Sequence, residues 1–576
     1  MEETIPRTFF GFTHESPGLL PALVAKDQHR VATLSRACLE ENVRRFAVGL
    51  ALLGIMPGER VAILAENSPA WIVADLGLSS AGAVGVPVYP TLATAEASFI
   101  LNDCQATALI FSPTQLKKAL CIKQESSSLR HLISTTHVGV KGIRSIEEVS
   151  SLAETLFADS LFKERLNSRL GQDPFSVIYT SGTTGRPKGV VLTHRNILSN
   201  IEAVLKVVDI TSKDRYLSYL PLSHIFERMV HHLFLYRGAT IAYSAGFAYV
   251  GADVLFFKPT IMTGVPFFFE RLKRRIIEGV EKRGVVKKQI FHLAMRVCEE
   301  HGECVCLKRG FVARFLDRLV LKGVREMVAP GLRFFISGGA KLPVETARFF
   351  WSLGMPVIEG YGLTETSPVV TVNTPEAAKL GTVGRAIRGI EISIADDGEI
   401  LVKGPNVMQG YLNLPEENKK VFSDGWFRTG DIGSLDDRGY LTITDRKKDI
   451  IITSLGKNVS SQRIEMLLKS DECIKEALVY GNGRPHLVAL IFPDREALSR
   501  TGISIEDKIG LHVFFEKRMR DRLKDVARFE SIRRFSVIED DLTIEKGELT
   551  PTMKVKRERV GERYKDIIEG LYDNET

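Results

Sequence analysis

From about residue 30 to residue 380, short apolar runs alternate with stretches of helical periodicity, and no other feature constrains the fold so strongly. Strands that alternate with helices pack as α/β layers. The strand candidates are Val61–Leu64, Ala108–Phe111, Phe175–Tyr179, Thr240–Tyr243, Thr260–Met262 and Leu332–Ile336. Between them lie helical patterns such as the one after Thr193, where Ile197, Ile201, Val204, Leu205 and Val208 share a face at 3-and-4 spacing. At 576 residues the chain is too long for a single core, so more than one domain is expected.

The texture changes twice. From about 380, Ile390–Ile394, an Asp397-Gly398 turn and Glu399–Val402 read as a hairpin, which suggests a smaller β-rich unit. Near Asp445–Asp449 a run of charges between apolar segments reads as a linker. Beyond it, Ala477–Tyr480 and Leu487–Ile491 flank a Gly-Asn-Gly-Arg-Pro turn, and helical stretches follow. The expected fold is α/β: a large N-terminal α/β domain over 1–445, with a β-rich subdomain at about 380–445, and a small C-terminal α+β domain over 446–576.

Composition excludes several classes. Hydrophobic residues make up 44% and charged residues 26%, an ordinary globular balance. No apolar run reaches the ~18 residues of a membrane span. The first residues carry no basic-then-apolar signal, and seven scattered cysteines form no disulfide framework, so a cytoplasmic location is expected. Cys304 and Cys306 stand as a lone pair, and no His-Glu-x-x-His or similar metal constellation appears. A net charge of +7 over this length, with no supporting motif, argues against nucleic acid as a partner. The densest basic piece, Glu270–Lys288, holds eight Lys/Arg and three Glu with apolar residues interleaved. It fits either a solvated amphipathic helix, the simpler reading, or peripheral contact with an anionic membrane. No feature sets an oligomeric state.

One run is unusual. Tyr179 to Thr193 reads YTSGTTGRPKGVVLT, which places glycines, hydroxyls and one lysine between two apolar runs. Gly182, Gly185 and Gly189 let backbone N–H groups approach a ligand closely. Thr180, Ser181, Thr183 and Thr184 add short donors and Lys188 a positive charge, a combination suited to a polyphosphate. The Walker A spacing is not met, since Gly189 follows the lysine.

This run closely resembles the phosphate-binding signature of the adenylate-forming superfamily, which includes acyl-CoA synthetases, luciferases and peptide-synthetase adenylation domains. Five further stretches agree in order. Pro221–Arg228 (PLSHIFER) resembles the acyl-site segment of long-chain fatty acyl-CoA synthetases, and Ser337–Ala340 the adenine-contacting turn. Tyr361–Thr366 (YGLTET) is similar to the ATP and magnesium motif, Gly425–Asp431 (GWFRTGD) to the ribose motif, and Leu549–Arg557 to the catalytic-lysine motif.

The resemblance implies an ATP-dependent ligase. A fatty acid carboxylate attacks the α-phosphorus of ATP to give acyl-AMP and pyrophosphate, and a thiol, that of CoA, then displaces AMP. Thr180, Ser181, Gly182, Thr183, Thr184, Gly185 and Lys188 are expected to hold the β- and γ-phosphates, and Thr364 the α-phosphate. Glu365 is the expected Mg2+ ligand, because a hard cation takes carboxylate and phosphate oxygens together. Tyr361, beside Gly362, is expected to stack on adenine, with Gly339 and Ala340 leaving room for the ring. Asp431 and Arg446 are expected at the ribose, and His224 at the carboxylate. His231 and His232 have no such support and read as surface or core histidines.

Lys554 is the expected catalytic cation of the first step, with Lys556 and Arg557 as nearby rivals. The superfamily further implies that the small domain is mobile and turns about Lys448 between the two steps. Long chains are implied by the acyl segment, by Pro259–Glu270 and by an insert of roughly 60 residues before Leu332. An apolar tunnel lined partly from 224–270 is expected, in which each buried methylene adds up to ~0.8 kcal/mol.

One departure bears on the acceptor. Leu455 stands before Gly456 where the family often has two glycines, in a loop that helps form the thiol channel, and Ser460-Ser461 replaces a common Ala-Pro. An acyl carrier protein is therefore the alternative acceptor to CoA. A third reading, a non-catalytic acyl- or nucleotide-binding regulator, is opposed by the retention of Lys188, Glu365, Asp431 and Lys554.

Overall fold

A computed structural model describes residues 3–11, 21–27, 30–180, 186–299, 304–305, 311–544, 546–550 and 554–573. It divides into two compact units. The larger comprises Met1–Ser393, Leu401–Arg428 and Leu435–Thr442; the smaller comprises Ile394–Ile400, Thr429–Ser434 and Ile443–Thr576.

In the larger unit the strand–helix alternation becomes two sheets. One has nine strands among the described residues, and its strands from Val357–Gly362 through Phe334–Ser337, Ile261–Gly264, Arg215–Ser218 and Thr240–Tyr243 to Pro21–Asp27 run parallel. The other has eight, with a parallel block from Pro174–Thr180 through Val84–Pro87 and Arg60–Leu64 to Ile143–Ser145. All six strand candidates fall on observed strands. Their runs are mostly apolar because both faces of a parallel sheet are covered: Ala108–Phe111 is buried at every position.

Parallel strands place all their C-terminal ends along one edge, the usual ligand edge of an α/β sheet. In the nine-stranded sheet the loops leaving that edge begin after Ser218, Gly264, Ser337 and Gly362. The helix Thr193 introduces is also as expected. It spans His194–Val204, opens with a Thr193–Asn196 capping box, and buries Ile197 and Ile201.

The smaller unit is built on a three-stranded sheet, Ile474–Tyr480, Leu487–Pro493 and Ile532–Val537. The first two form the expected hairpin, with Val479 opposite Ala489. Alternate residues serve different faces. Ala477, Val479, Leu487, Ala489 and Ile491 pack with Ile464, Leu468 and Phe515. Leu478, Val488, Leu490 and Phe492 pack with Val560, Tyr564 and Ile568. The turn at Asp397-Gly398 also forms: Gly398 has φ +81° and donates to Ala395 O, while Ala395 N–H donates to Glu399 O.

Candidate functional site

The phosphate-type run lies on a hairpin. The strands Pro174–Thr180 and Lys188–Thr193 are antiparallel, with Thr180 opposite Lys188 at the mouth. Ser181, Gly182, Thr183, Thr184 and Gly185 lie outside the described residues. Gly189 is closely packed: a Cβ there would stand 2.9 Å from the Val177 side chain and 3.0 Å from that of Tyr179.

Two residues that carry no sequence signal complete this corner. The short strand Gly410–Tyr411 pairs with Val190 and Val191, which brings Tyr411 beside Lys188, with the ammonium 5.3 Å from the ring centroid. Lys188 Nζ donates to Glu417 Oε2 at 2.7 Å. Lys188, then Lys420, hold the Glu417 carboxyl down, to about 2. Tyr411 Oη donates to Glu365 Oε1 at 2.8 Å, and the Glu365 carbonyl accepts from Met408 N–H at 2.8 Å. The phosphate-type lysine and the expected magnesium carboxylate are thus joined through one tyrosine.

Other expected residues gather along the strand-end edge. Gly339 and Ala340 form an exposed turn after Phe334–Ser337, and Gly339 needs its φ of +84°. Tyr361 and Gly362 end the neighbouring strand, Val357–Gly362, and Thr364 and Glu365 follow in a 3-10 turn. Gly362 is sterically fixed, since a Cβ would stand 1.5 Å from the Pro368 carbonyl oxygen. Glu359, two residues before Tyr361, is buried, and desolvation pushes its carboxyl up to about 8.

His224 stands after the strand Arg215–Ser218 as the N-cap of the helix Ile225–Tyr236. Its Nδ1 accepts the Phe226 N–H at 3.2 Å, which assigns the ring proton to Nε2. The approach loop is pinned from the other sheet. Asn67 donates to Leu220 O at 2.6 Å and accepts from Leu222 N–H at 2.9 Å, and Ser223 Oγ donates to Val88 O. Phe226 covers Gly338, whose Cβ would meet the ring at 3.2 Å, so the acyl-type segment and the adenine-type turn abut. Beside them Tyr219, Phe247, Phe267 and Phe268 form an aromatic group.

His231 and His232 are core residues. His231 Nδ1 meets Glu227 O at 2.9 Å, and His232 Nε2 meets Asp75 Oδ2 at 3.1 Å.

The smaller unit brings Asp431, Arg446 and Lys554 into one electrostatic group. Arg446 Nε donates to Asp431 Oδ1 at 2.8 Å. The Lys554 ammonium is lowered to about 8 by desolvation first and by Arg446 second, opposed by Asp431. Its backbone is clasped by Thr550: Thr550 N–H donates to Lys554 O at 2.7 Å, and Lys554 N–H to Thr550 Oγ1 at 3.0 Å. Arg557 is occupied elsewhere, on Glu465 at 2.6 Å and the Val479 carbonyl at 2.7 Å. Lys448 lies in a 3-10 turn, Lys447–Asp449. Gly456, φ +70°, closes the turn of the Ile450–Ile452 and Asn458–Ser460 hairpin, and Leu455 beside it is 75% exposed.

Among the described residues no group of three or more His, Cys, Asp or Glu could hold a metal ion. The single carboxylate of Glu365 instead suits a cation that brings its other oxygens with it, as magnesium does on a nucleotide phosphate.

A hairpin that sets Thr180 opposite Lys188, an adenine-type turn at parallel strand ends and a separate unit with an Asp–Arg–Lys group define the adenylate-forming class of enzyme. The comparisons agree, and the chain belongs to the AMP-binding enzyme family, which matches residues 15–412, with the AMP-binding enzyme C-terminal domain matching 448–576. Among its relatives is the long-chain-fatty-acid–CoA ligase FadD15 of Mycobacterium tuberculosis, 33% identical over 93% of this chain and 91% of that protein. A chloroplastic long-chain-fatty-acid–[acyl-carrier-protein] ligase of Arabidopsis thaliana, AEE15, is 28% identical over 93% of this chain and 82% of that protein. Among solved structures, the ATP-bound MatB of Rhodopseudomonas palustris superposes with a TM-score of 0.75 at 25% identity, over 99% of this chain and 100% of that one.

Proposed function

We propose that the chain is a long-chain fatty acid–CoA ligase that uses ATP and magnesium. The observation that carries this reading is the convergence of His224, Gly339, Tyr361, Thr364 and Glu365 on one strand-end edge of a chain whose relatives are named as such ligases. A carboxylate oxygen of the fatty acid attacks the α-phosphorus of ATP, and the bond from that phosphorus to the bridging oxygen breaks, releasing pyrophosphate. The thiol sulfur of CoA then attacks the acyl carbon, its proton is lost, and AMP leaves.

In this scheme Lys188 and the residues from Thr180 to Gly185 bind the β- and γ-phosphates, Thr364 the α-phosphate, and Asp431 with Arg446 the ribose hydroxyls. Glu365, oriented by Tyr411, would hold a magnesium ion, which supplies neutralisation of phosphate charge. His224 orients the carboxylate, and Lys554 neutralises charge as the first step proceeds. The acyl chain lies against Tyr219, Phe247, Phe267 and Phe268. The lysine-bearing domain takes up the chain from about 446 onward.

Fatty-acid-dependent pyrophosphate exchange, run with octanoate and palmitate, tests the reading. Exchange that needs no acid, or equal catalytic efficiency for the two acids, rejects it. A second reading, transfer to an acyl carrier protein, is favoured by exposed Leu455 in the thiol-side turn and by the relative named for that activity. Presenting one adenylate to CoA and to carrier protein separates the two. We place the enzyme in the cytoplasm, in peripheral contact with membrane.

A further inference from the structure

Between the strands Ile261–Gly264 and Phe334–Ser337 the chain runs through a helical insert. Its first helix, Pro266–Glu281, turns Phe269, Ile276 and Val280 inward and carries most of the basic stretch Glu270–Lys288. The next helix, Val285–Cys298, buries Phe291, Ala294 and Cys298 on one side. On another side Val286, Ile290, Leu293 and Val297 recur at helical spacing, and Leu293 is 53% exposed. The helix Phe311–Leu316 and the π-helical turn Asp317–Leu321 repeat the pattern, with Phe311 81% and Leu319 63% exposed and Phe315 between them. These segments pack on one another, and each keeps an apolar stripe exposed.

Their charge is one-sided. Val285–Cys298 carries Lys287, Lys288 and Arg296 and no acid, while Arg314, Arg318 and Lys322 follow the second stripe. The single acid from Phe311 to Lys322 is Asp317, which is tied to Arg325. A soluble surface seldom leaves rows of apolar side chains open without a partner. Cations flanking an apolar helix face fit an anionic bilayer, where the stems enter the interface and the charges meet headgroups.

We propose that Val285–Cys298 and Phe311–Leu321 form a docking face for anionic lipid bilayers. This deepens the fatty acid ligase reading and rests on it, since the face would bring the enzyme to a membrane-dissolved substrate. A second copy of the chain fits less well. A two-fold contact sets the face against itself, opposing Lys287, Arg296, Arg314 and Arg318 to like charges.

The test is flotation of the full chain with phosphatidylcholine vesicles, with and without phosphatidylglycerol, in the absence of ATP. The chain floats with the anionic vesicles and comes off at high salt. Removing charge (R314Q with R318Q) or apolar surface (L293Q with F315Q) each lowers the bound fraction about tenfold or more. Both pairs keep wild-type turnover of decanoate in free solution, which shows that they fold. No flotation, or variants that float like the wild type, overturns the proposal. So does a wild-type dimer that either pair of substitutions splits. A chain that floats but does not activate fatty acids upholds the docking face and refutes only the ligase reading.

Discussion

Arg228 offers a test of what holds the acyl-type segment in place. It sits one turn after His224 on the helix Ile225–Tyr236, with its side chain 1% exposed. Its Nε donates to Asp75 Oδ2 at 3.0 Å, Nη2 to Asp75 Oδ1 at 2.5 Å and Nη1 to Ser176 Oγ at 2.6 Å, and the guanidinium lies 4.4 Å from the Phe175 ring centroid. Asp75 is on the helix Pro69–Ser80 and Ser176 on the eight-stranded sheet, so one cation ties the His224 helix to the other half of the body. Burial pushes the Asp75 carboxyl up, but Arg228 and then His232 overrule it and hold it at about 2.

Asp75→Asn removes the counter-charge and leaves the cation buried, at a cost of ~3–5 kcal/mol. In a unit of roughly 430 residues, with unfolding entropy near ~2.1 cal/mol/K per residue, that lowers the Tm by about 3–5 °C. Scanning calorimetry on the full chain reads the shift. D75L with R228M, which removes both charges, recovers most of the loss. With its helix loosened, D75N also raises the KM for the acid more than that for ATP. Since the carboxyl is depressed below its ordinary 3.8, the pair's stabilisation is present above that pH and is lost as the pH falls through about 2. A D75N protein with unchanged Tm, or a double variant no better than the single, refutes the claim that an unpaired buried cation sets the cost.

Five further outcomes are expected. Lys554→Ala abolishes acyl-AMP formation and spares thioester formation from synthetic acyl-AMP; loss of both half-reactions in a folded protein counts against its assignment. Because the Lys554 ammonium is lowered to about 8, the first half-reaction declines as the pH rises through that value, and Lys554→Arg moves the decline upward in a pH–rate profile. Glu417→Gln releases Lys188 and lowers the KM for ATP in pyrophosphate exchange, by at most about fivefold since solvent-accessible pairs contribute ~0.2–1 kcal/mol; an unchanged KM sinks the idea that Glu417 competes with phosphate. Tyr411→Phe removes a hydrogen bond to a carboxylate worth ~1.5–3 kcal/mol, so about tenfold to a hundredfold more magnesium is needed for half-maximal exchange. Leu455→Gly lowers the KM for CoA without touching exchange; equal KM values argue that the exposed leucine is no obstacle at the thiol side.

Much of this was legible in one dimension. Parallel strands covered on both faces must be continuous apolar runs, which is why Ala108–Phe111 and Thr240–Tyr243 stand out from their helical surroundings. Glycines that cannot be replaced, such as Gly362 against the Pro368 carbonyl, sit inside motifs of fixed local spacing. The folded chain alone decided which distant partners meet. Lys188 and Glu417 are 229 positions apart, and Arg228 and Asp75 153, and no local preference encodes either pairing. Helical periodicity likewise showed which apolar residues share a face, but not whether that face turns inward. Pro266–Glu281 and Val285–Cys298 are both periodic, yet the first buries Ile276 and Val280 while the second leaves Leu293 and Val297 in water. Sequence sets the period of a helix, whereas the surfaces packed around it set its rotation.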